Sequence, residues 1–189
     1  LILFGPPGSG KGTIGKSLAT LFNHFHLSSG EVFRSLSPDS PAGQLFQRYA
    51  NQGLLLPDEA TTTILFAYIE GLIATNRFFP GRQLLILDGI PRTPTQKILI
   101  QDAINLLRVI VLEMPSEERL IARLKNRALL ERRYDDGDET VYRTRMEIYK
   151  RETAKVLESY PSDLITLINA DQKPAAVFRD LLVDLAEIL

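Results

Sequence analysis

Five short apolar runs recur along the chain, at residues 1–4, 25–27, 84–87, 109–112 and 164–168. They are rich in Leu, Ile and Val, bounded by Gly, Pro or Asp, and show no alternation with polar residues. Strands of this kind are buried on both faces, and helix-period stretches separate them, so the pattern predicts a parallel sheet covered on each side, an α/β fold. The gap between residues 27 and 84 is too long for one crossover helix, and the stretch at 35–43 (SLSPDSPAG) is rich in turn residues. A small helical insertion is expected there. Helical periodicity returns at 117–131 and 139–159, and the charged, glycine-containing stretch between them, 132–138 (RRYDDGD), reads as the tip of a mobile flap.

Composition narrows the function. The chain has 189 residues, 22 Lys plus Arg against 23 Asp plus Glu, and 44% hydrophobic residues. That suits one compact domain and lacks the basic excess of a general nucleic-acid binder. No Cys and only two His are present, which removes disulfides and thiolate-bound zinc from consideration. His24 and His26, flanking Phe25, are expected to be structural. The longest apolar runs fall far short of the ~18 to 20 residues of a membrane span. The expectation is a soluble chain with cytoplasm-like chemistry. The first run is a strand already under way at Leu1, so the native start is expected upstream, and no secretory signal pattern is visible.

The first run leads directly into GPPGSGKGT, where Gly5, Gly10 and Lys11 fit the G-x-x-x-x-G-K core of a phosphate-binding loop. Glycines let backbone N–H groups turn inward around phosphate oxygens, the following helix presents its positive end, and Lys11 adds a charge. Gly12 stands where Ser or Thr usually ligates Mg²⁺, and Thr13 is the next hydroxyl. Asp88, at the end of the third run, is placed like a carboxylate that orients Mg²⁺ directly or through water.

Arginine accounts for 15 of the 22 basic residues, and eight of these lie between Arg119 and Arg151. Arg119, Arg132, Arg143 and Arg151 read as a solvated face with ion pairs. Arg123 and Arg127, at i and i+4, share a helical face just before the flap and can clamp one ligand. Arg133 at the tip and Arg145 on the next helix would join them on closure. Arg34 and Arg92 sit in loops after the second and third runs, beyond the carboxyl ends of strands, where open α/β sheets bind ligands. Two phosphate-bearing ligands are thereby predicted, one on the glycine loop and one opposite.

Five motifs in order, GPPGSGKGT, SSGEVFR, GLLLPDE, LDGIPRTPTQ and RYDDGDET, resemble the adenylate kinase family of nucleoside monophosphate kinases over nearly the whole chain. The resemblance implies a P-loop NTPase fold with a five-stranded parallel sheet, a small helical monophosphate-binding insertion at 28–57 and a short lid at 127–138 without zinc. The remaining stretches, 1–27, 58–126 and 139–189, would form the core. It implies that Gly8, Ser9, Gly10, Lys11, Gly12 and Thr13 hold the ATP phosphates, with Arg123 over the adenine and Arg127 nearby. AMP would lie against Ser29, Gly30, Arg34, Leu54, Leu56, Gly89, Arg92 and Gln96, the last reading its base. Lys11, Arg92, Arg127, Arg133, Arg145 and Asp88 would serve the transfer, and Mg²⁺ would meet Asp88 and Thr13. Asp135 and Asp136 match lid aspartates. An extra residue before Arg145 leaves Arg143 as a rival for its role. Ile14, Ser29 and Ile90 depart from the common pattern, and Gln172 or Lys173 replaces a glycine in the loop NADQKP.

Transfer from ATP to AMP needs no general base, because the accepting phosphate is already anionic, which suits a site rich in Arg. ATP and AMP are the expected partners of a monomer, with neither nucleic acid nor membrane. Within the class the alternative is a UMP/CMP kinase. Outside it, the alternative is a P-loop switch that binds nucleotide without passing phosphate to a second one. Phe22, Phe25, Phe33 and Phe46 are candidates for the wall of the monophosphate site.

Overall fold

The computed structural model describes residues 1–131 and 138–189. Its five strands are β1 (Ile2–Phe4), β2 (Phe25–Ser28), β3 (Leu85–Asp88), β4 (Val109–Glu113) and β5 (Ile165–Asn169), each within a residue or two of its apolar run. All pairs are parallel, in the order β2-β3-β1-β4-β5. The chain is therefore α/β with a five-stranded parallel sheet between helices.

Alternation along the strands builds two cores. Leu1, Leu3, Ile86, Ile110 and Leu112 point to one face, where Ile14, Leu18, Tyr142, Met146 and Leu181 pack on them. Ile2, Phe4, Leu87, Val109 and Val111 point to the other, against Leu65, Leu72, Ile100 and Val156. Each fully buried aliphatic side chain contributes about 1.5–3 kcal/mol relative to exposure, and the central strands supply several. Both faces of the sheet are packed where the first and third runs end.

The covering helices are α1 (Lys11–Phe22), α4 (Asp58–Ala74), α5 (Pro94–Gln101), α6 (Glu117–Glu131), α7 (Glu139–Ile148), α8 (Ala154–Glu158) and α9 (Pro174–Leu185), with α2 (Ser29–Arg34) and α3 (Pro41–Ala50) in the long gap after β2. Their starts follow local chemistry. Ser40 accepts the Gly43 N–H at 3.0 Å ahead of Pro41, Thr93 accepts the Gln96 N–H at 3.1 Å ahead of Pro94, and Asp138 accepts the Thr140 N–H at 2.8 Å.

Two expectations are modified. Arg34 closes the short helix α2 and is not in a loop, because Ser29, Val32 and Phe33 are buried at i, i+3 and i+4 after the extended Ser28. The periodic stretch 139–159 is not one uniform α-helix: it winds as a π-turn over Tyr149–Thr153 between α7 and α8.

Candidate active site

Strand β1 is central, with β3 on one side and β4 on the other. The crossover from β1 runs to β2 at one edge, whereas the crossover from its neighbour β3 runs the other way to β4, so a crevice opens beyond the carboxyl ends of these strands. There the chain turns through Gly8 at φ 87° and Gly10 at φ 100°, conformations that L side chains rarely adopt, and enters α1. The Lys11 Nζ donates to the carbonyls of Gly5 at 2.8 Å and Pro6 at 3.1 Å, closing the loop on itself. Close packing behind it depends on Gly15, where a Cβ would lie 2.2 Å from the His26 ring.

A single cleft of about 660 Å³ runs from this loop across the carboxyl edge of the sheet. It is lined on the glycine-loop side by Gly8, Ser9, Gly10, Lys11, Gly12, Thr13, Arg123 and Arg127. Ser29, Gly30, Arg34, Leu54, Leu56, Gly89, Arg92, Gln96 and Arg145 line it on the other, with Asp88 also on its wall. The candidates named from sequence thus come together, except Arg133, which with Arg132, Asp135 and Asp136 lies outside the described residues. Arg145 faces the cleft, whereas Arg143 is exposed and pairs with Glu139 at 2.8 Å. Arg119 and Arg151 likewise bond neighbouring carboxylates, of Asp171 and Glu152. Phe33 and Phe46 line the cleft with ring centroids 5.8 Å apart. Phe22 and Phe25 do not: Phe22 stacks on His24, and Phe25 packs on Phe78 in the core because the β2 register turns it inward.

The adenylate kinase family profile matches residues 3–165. The chain is 37% identical over 166 residues to an adenylate kinase of Cyanothece sp., spanning 85% of this chain and 80% of the relative. It is 36% identical over 172 residues to that of Mycolicibacterium smegmatis and 33% identical over 172 residues to that of Corynebacterium urealyticum, each match spanning 88% of both chains. The chain belongs to the adenylate kinase family. Among its described residues no helix is long and apolar enough to cross a membrane.

In this adenylate kinase family member the cleft's charges are strongly coupled. Burial pulls the Lys11 ammonium down to about 8, Asp88 opposes that, and Arg92 and Arg127 add to it. Burial pushes the Asp88 carboxyl up, but His26, Lys11 and Arg92 outweigh it and hold the group below its ordinary value. His26 Nε2 lies 3.5 Å from Asp88 Oδ2, a contact that no sequence signal announced. Burial also lowers Arg92, Asp88 raises it, and Arg145 and Arg34 lower it further. A guanidinium stays protonated through such a shift. Three like charges crowded together form a site that a dianionic phosphate relieves.

Gln96 is a candidate named from sequence, but its tie to Asp58 and Thr93 behind Arg92 was not foreseen. Asp58 Oδ1 accepts from Thr93 Oγ1 and from Gln96 Nε2, each at 2.9 Å, and Gln96 Oε1 accepts the Arg92 N–H at 2.7 Å. Gln96 is 2% exposed. Its amide orientation is chemically forced, since the carboxylate needs a donor and the backbone N–H an acceptor.

Proposed function

We propose that this chain catalyses reversible, Mg²⁺-dependent phosphoryl transfer from ATP to AMP, giving two ADP. The observation that carries the reading is the shared cleft, with the glycine loop and Lys11 at one end and Arg34, Arg92 and Arg145 at the other. A nucleotide switch without a second substrate would have no use for the second cluster. The membership of the family supports the same choice.

In the mechanism, backbone N–H groups of residues 8–13, the N-terminal end of α1 and Lys11 bind the ATP phosphates. Arg34 and Arg92 hold the AMP phosphate, with Gln96 beside its base and Leu54 and Leu56 along the wall. An AMP phosphate oxygen forms a bond to the γ-phosphorus as the bond to the β–γ bridging oxygen breaks. Charge spreads over the equatorial oxygens, where Arg127 and Arg145, with Arg133, stabilise it. No proton has to be abstracted from the acceptor.

The residues fit Mg²⁺. Asp88 presents an ionised carboxylate on the cleft wall, Gly12 leaves room beside its Oδ2, and Thr13 offers a hydroxyl oxygen. A Mg²⁺ ion is ordinarily held by one or two carboxylates, waters and substrate phosphates, so Asp88 and Thr13 would hold it. When bound it supplies charge neutralisation on the ATP phosphates. Closure of the 28–57 insertion and the 127–138 lid over the 1–27, 58–126 and 139–189 core excludes water, which would otherwise accept the phosphoryl group. One chain supplies the whole cleft, which is compatible with a monomer as the working unit, and the expected location is the cytoplasm.

Coupled ADP formation from ATP plus AMP tests the reading, with UMP and CMP as rival acceptors and Lys11→Met as the control. AMP-dependent ADP production that Lys11→Met lowers by ~10² to 10³ is expected. Faster turnover of UMP than AMP would reverse the choice of acceptor, and ATP hydrolysis indifferent to any monophosphate would favour the switch.

A further inference from the structure

Between α7 and α8 the winding loosens to i→i+5 bonding over Tyr149–Thr153. π-turns inside helices concentrate at functional sites, because the extra residue rotates a side chain out of the regular face. Thr153 ends this turn, 6% exposed and on the cleft wall. Helical threonines commonly return their hydroxyl to the carbonyl four residues back, as Thr20 does to Lys16 and Thr144 to Thr140. Thr153 does not. Its Oγ1 donates at 3.1 Å to the carbonyl of Arg92, on the far loop.

That bond completes a clamp. The Arg92 N–H is taken by Gln96 at 2.7 Å, its carbonyl by Thr153, and its Nε donates to the Gly89 carbonyl at 2.7 Å. The remaining donors of Arg92 are its two terminal nitrogens. Arg145 rides on α7, which runs through the π-turn into Thr153, and its charge acts unfavourably on Arg92. Two guanidinium groups that repel each other spread unless something fixes their spacing.

We propose that Thr153 is a positioning residue for the acceptor phosphate: its hydroxyl ties the Arg92 peptide to the helix carrying Arg145, so that both guanidinium groups meet one phosphate. The inference rests on the reading of Arg92 and Arg145 as holders of that phosphate.

Thr153→Val keeps the shape and removes the donor, and Thr153→Ser restores the donor. Steady-state kinetics with each substrate varied, calorimetric AMP binding and thermal melting separate the outcomes. Thr153→Val is expected to lower kcat/KM for AMP by roughly 10-fold to 100-fold, the scale of a small misplacement in a reacting array, and to leave KM for ATP within about twofold. Thr153→Ser is expected to recover most of the loss. A Thr153→Val enzyme that melts earlier but keeps wild-type kcat/KM for AMP overturns the proposal, since a purely structural bond would behave so. Should Thr153→Val fail to fold, Thr153→Ala, a better helix former, carries the same expectation. If wild-type enzyme prefers another monophosphate, the comparison is read on that acceptor, and only the base assignment falls. Wild-type protein transferring to no monophosphate overturns both readings.

Discussion

The glycine-loop side of the cleft and the side facing it are built differently. On the first, residues 5–13 run unbroken from the end of a buried strand into the first turn of α1, with Arg123 and Arg127 of α6 beside them. On the second, Arg34 comes from α2, Arg92 from the turn before α5 and Arg145 from α7. The first side is centred on backbone N–H groups and Lys11, with two guanidinium groups at its flank, whereas the second is built from side-chain guanidinium groups and the bonds that aim them. A contiguous loop is positioned by its own φ values, whereas a dispersed cluster is positioned by the whole sheet and by partners such as Gln96 and Thr153. The dispersed side should therefore be the more sensitive to loss of a single side chain.

The largest expected effect is on that side. Arg92→Ala removes a half-buried cation that interacts with Asp88 and shares the cleft with Arg34 and Arg145. Loss of an arginine acting on a transferring phosphoryl group costs ~10³ to 10⁵ in rate. We expect AMP-dependent ADP formation to fall into that range while binding of an ATP analogue, measured by calorimetry, changes little. Equal losses in both would mean that the two halves are not separable.

Legibility follows the same divide. The strands were readable because a strand buried on both faces has to be a short apolar run, and the glycine loop because its geometry is local. The arginines at 34, 92, 123, 127 and 145 were placed on the cleft through a topological rule and a family resemblance together. What stayed hidden depends on how separate elements pack. Nothing in YKRET signals a π-turn, and Thr153 resembles any helical threonine until Arg92 is brought against it. Asp58 reads as an acidic residue in the first turn of a helix, and its tie to Gln96 appears only when α4 and α5 pack together. His26 against Asp88 likewise depends on the parallel register of β2 and β3, which sets Ser28 beside Asp88.

A second effect, smaller in rate, sharpens the contrast through pH. Lys11 sits at about 8 instead of 10.5, while the guanidinium groups opposite stay charged throughout. Affinity of the nucleotide-free protein for ATP should then weaken as pH rises through about 8, where the ammonium loses its proton, and affinity for AMP should not follow. Stability moves the other way. Between about 8 and 10.5 the unfolded chain keeps the Lys11 proton that the folded chain has released, so the unfolded state binds more protons and stability rises with pH across that window. Below about 8 both states are protonated and this dependence disappears. Denaturant titrations of wild type against Lys11→Met isolate the contribution, because the substituted chain lacks it. At neutral pH Lys11→Met should lower the transfer rate by ~10² to 10³, the usual cost of one aimed electrostatic donor. An identical pH trend in ATP binding by both proteins would assign the titration to another group.

The smallest effect concerns two arginines one helical half-turn apart. Arg143 and Arg145 were rivals from sequence for one role, yet α7 sends them to different faces. Residues two apart on a helix point about 200° from each other, so only one can face the cleft. Arg143 bonds Glu139 at 2.8 Å on the exposed side, an i, i+4 pair in water that screening leaves with little energy. Arg145 lines the cleft and acts on Arg92. Arg143→Ala should keep kcat within about twofold and melt close to wild type, whereas Arg145→Ala should lower kcat/KM for AMP by at least ~10². The reverse order, with Arg143→Ala the damaging change, would mean that closure over substrates rewinds α7, and the positions in the open cleft would no longer predict the residues that meet the phosphate.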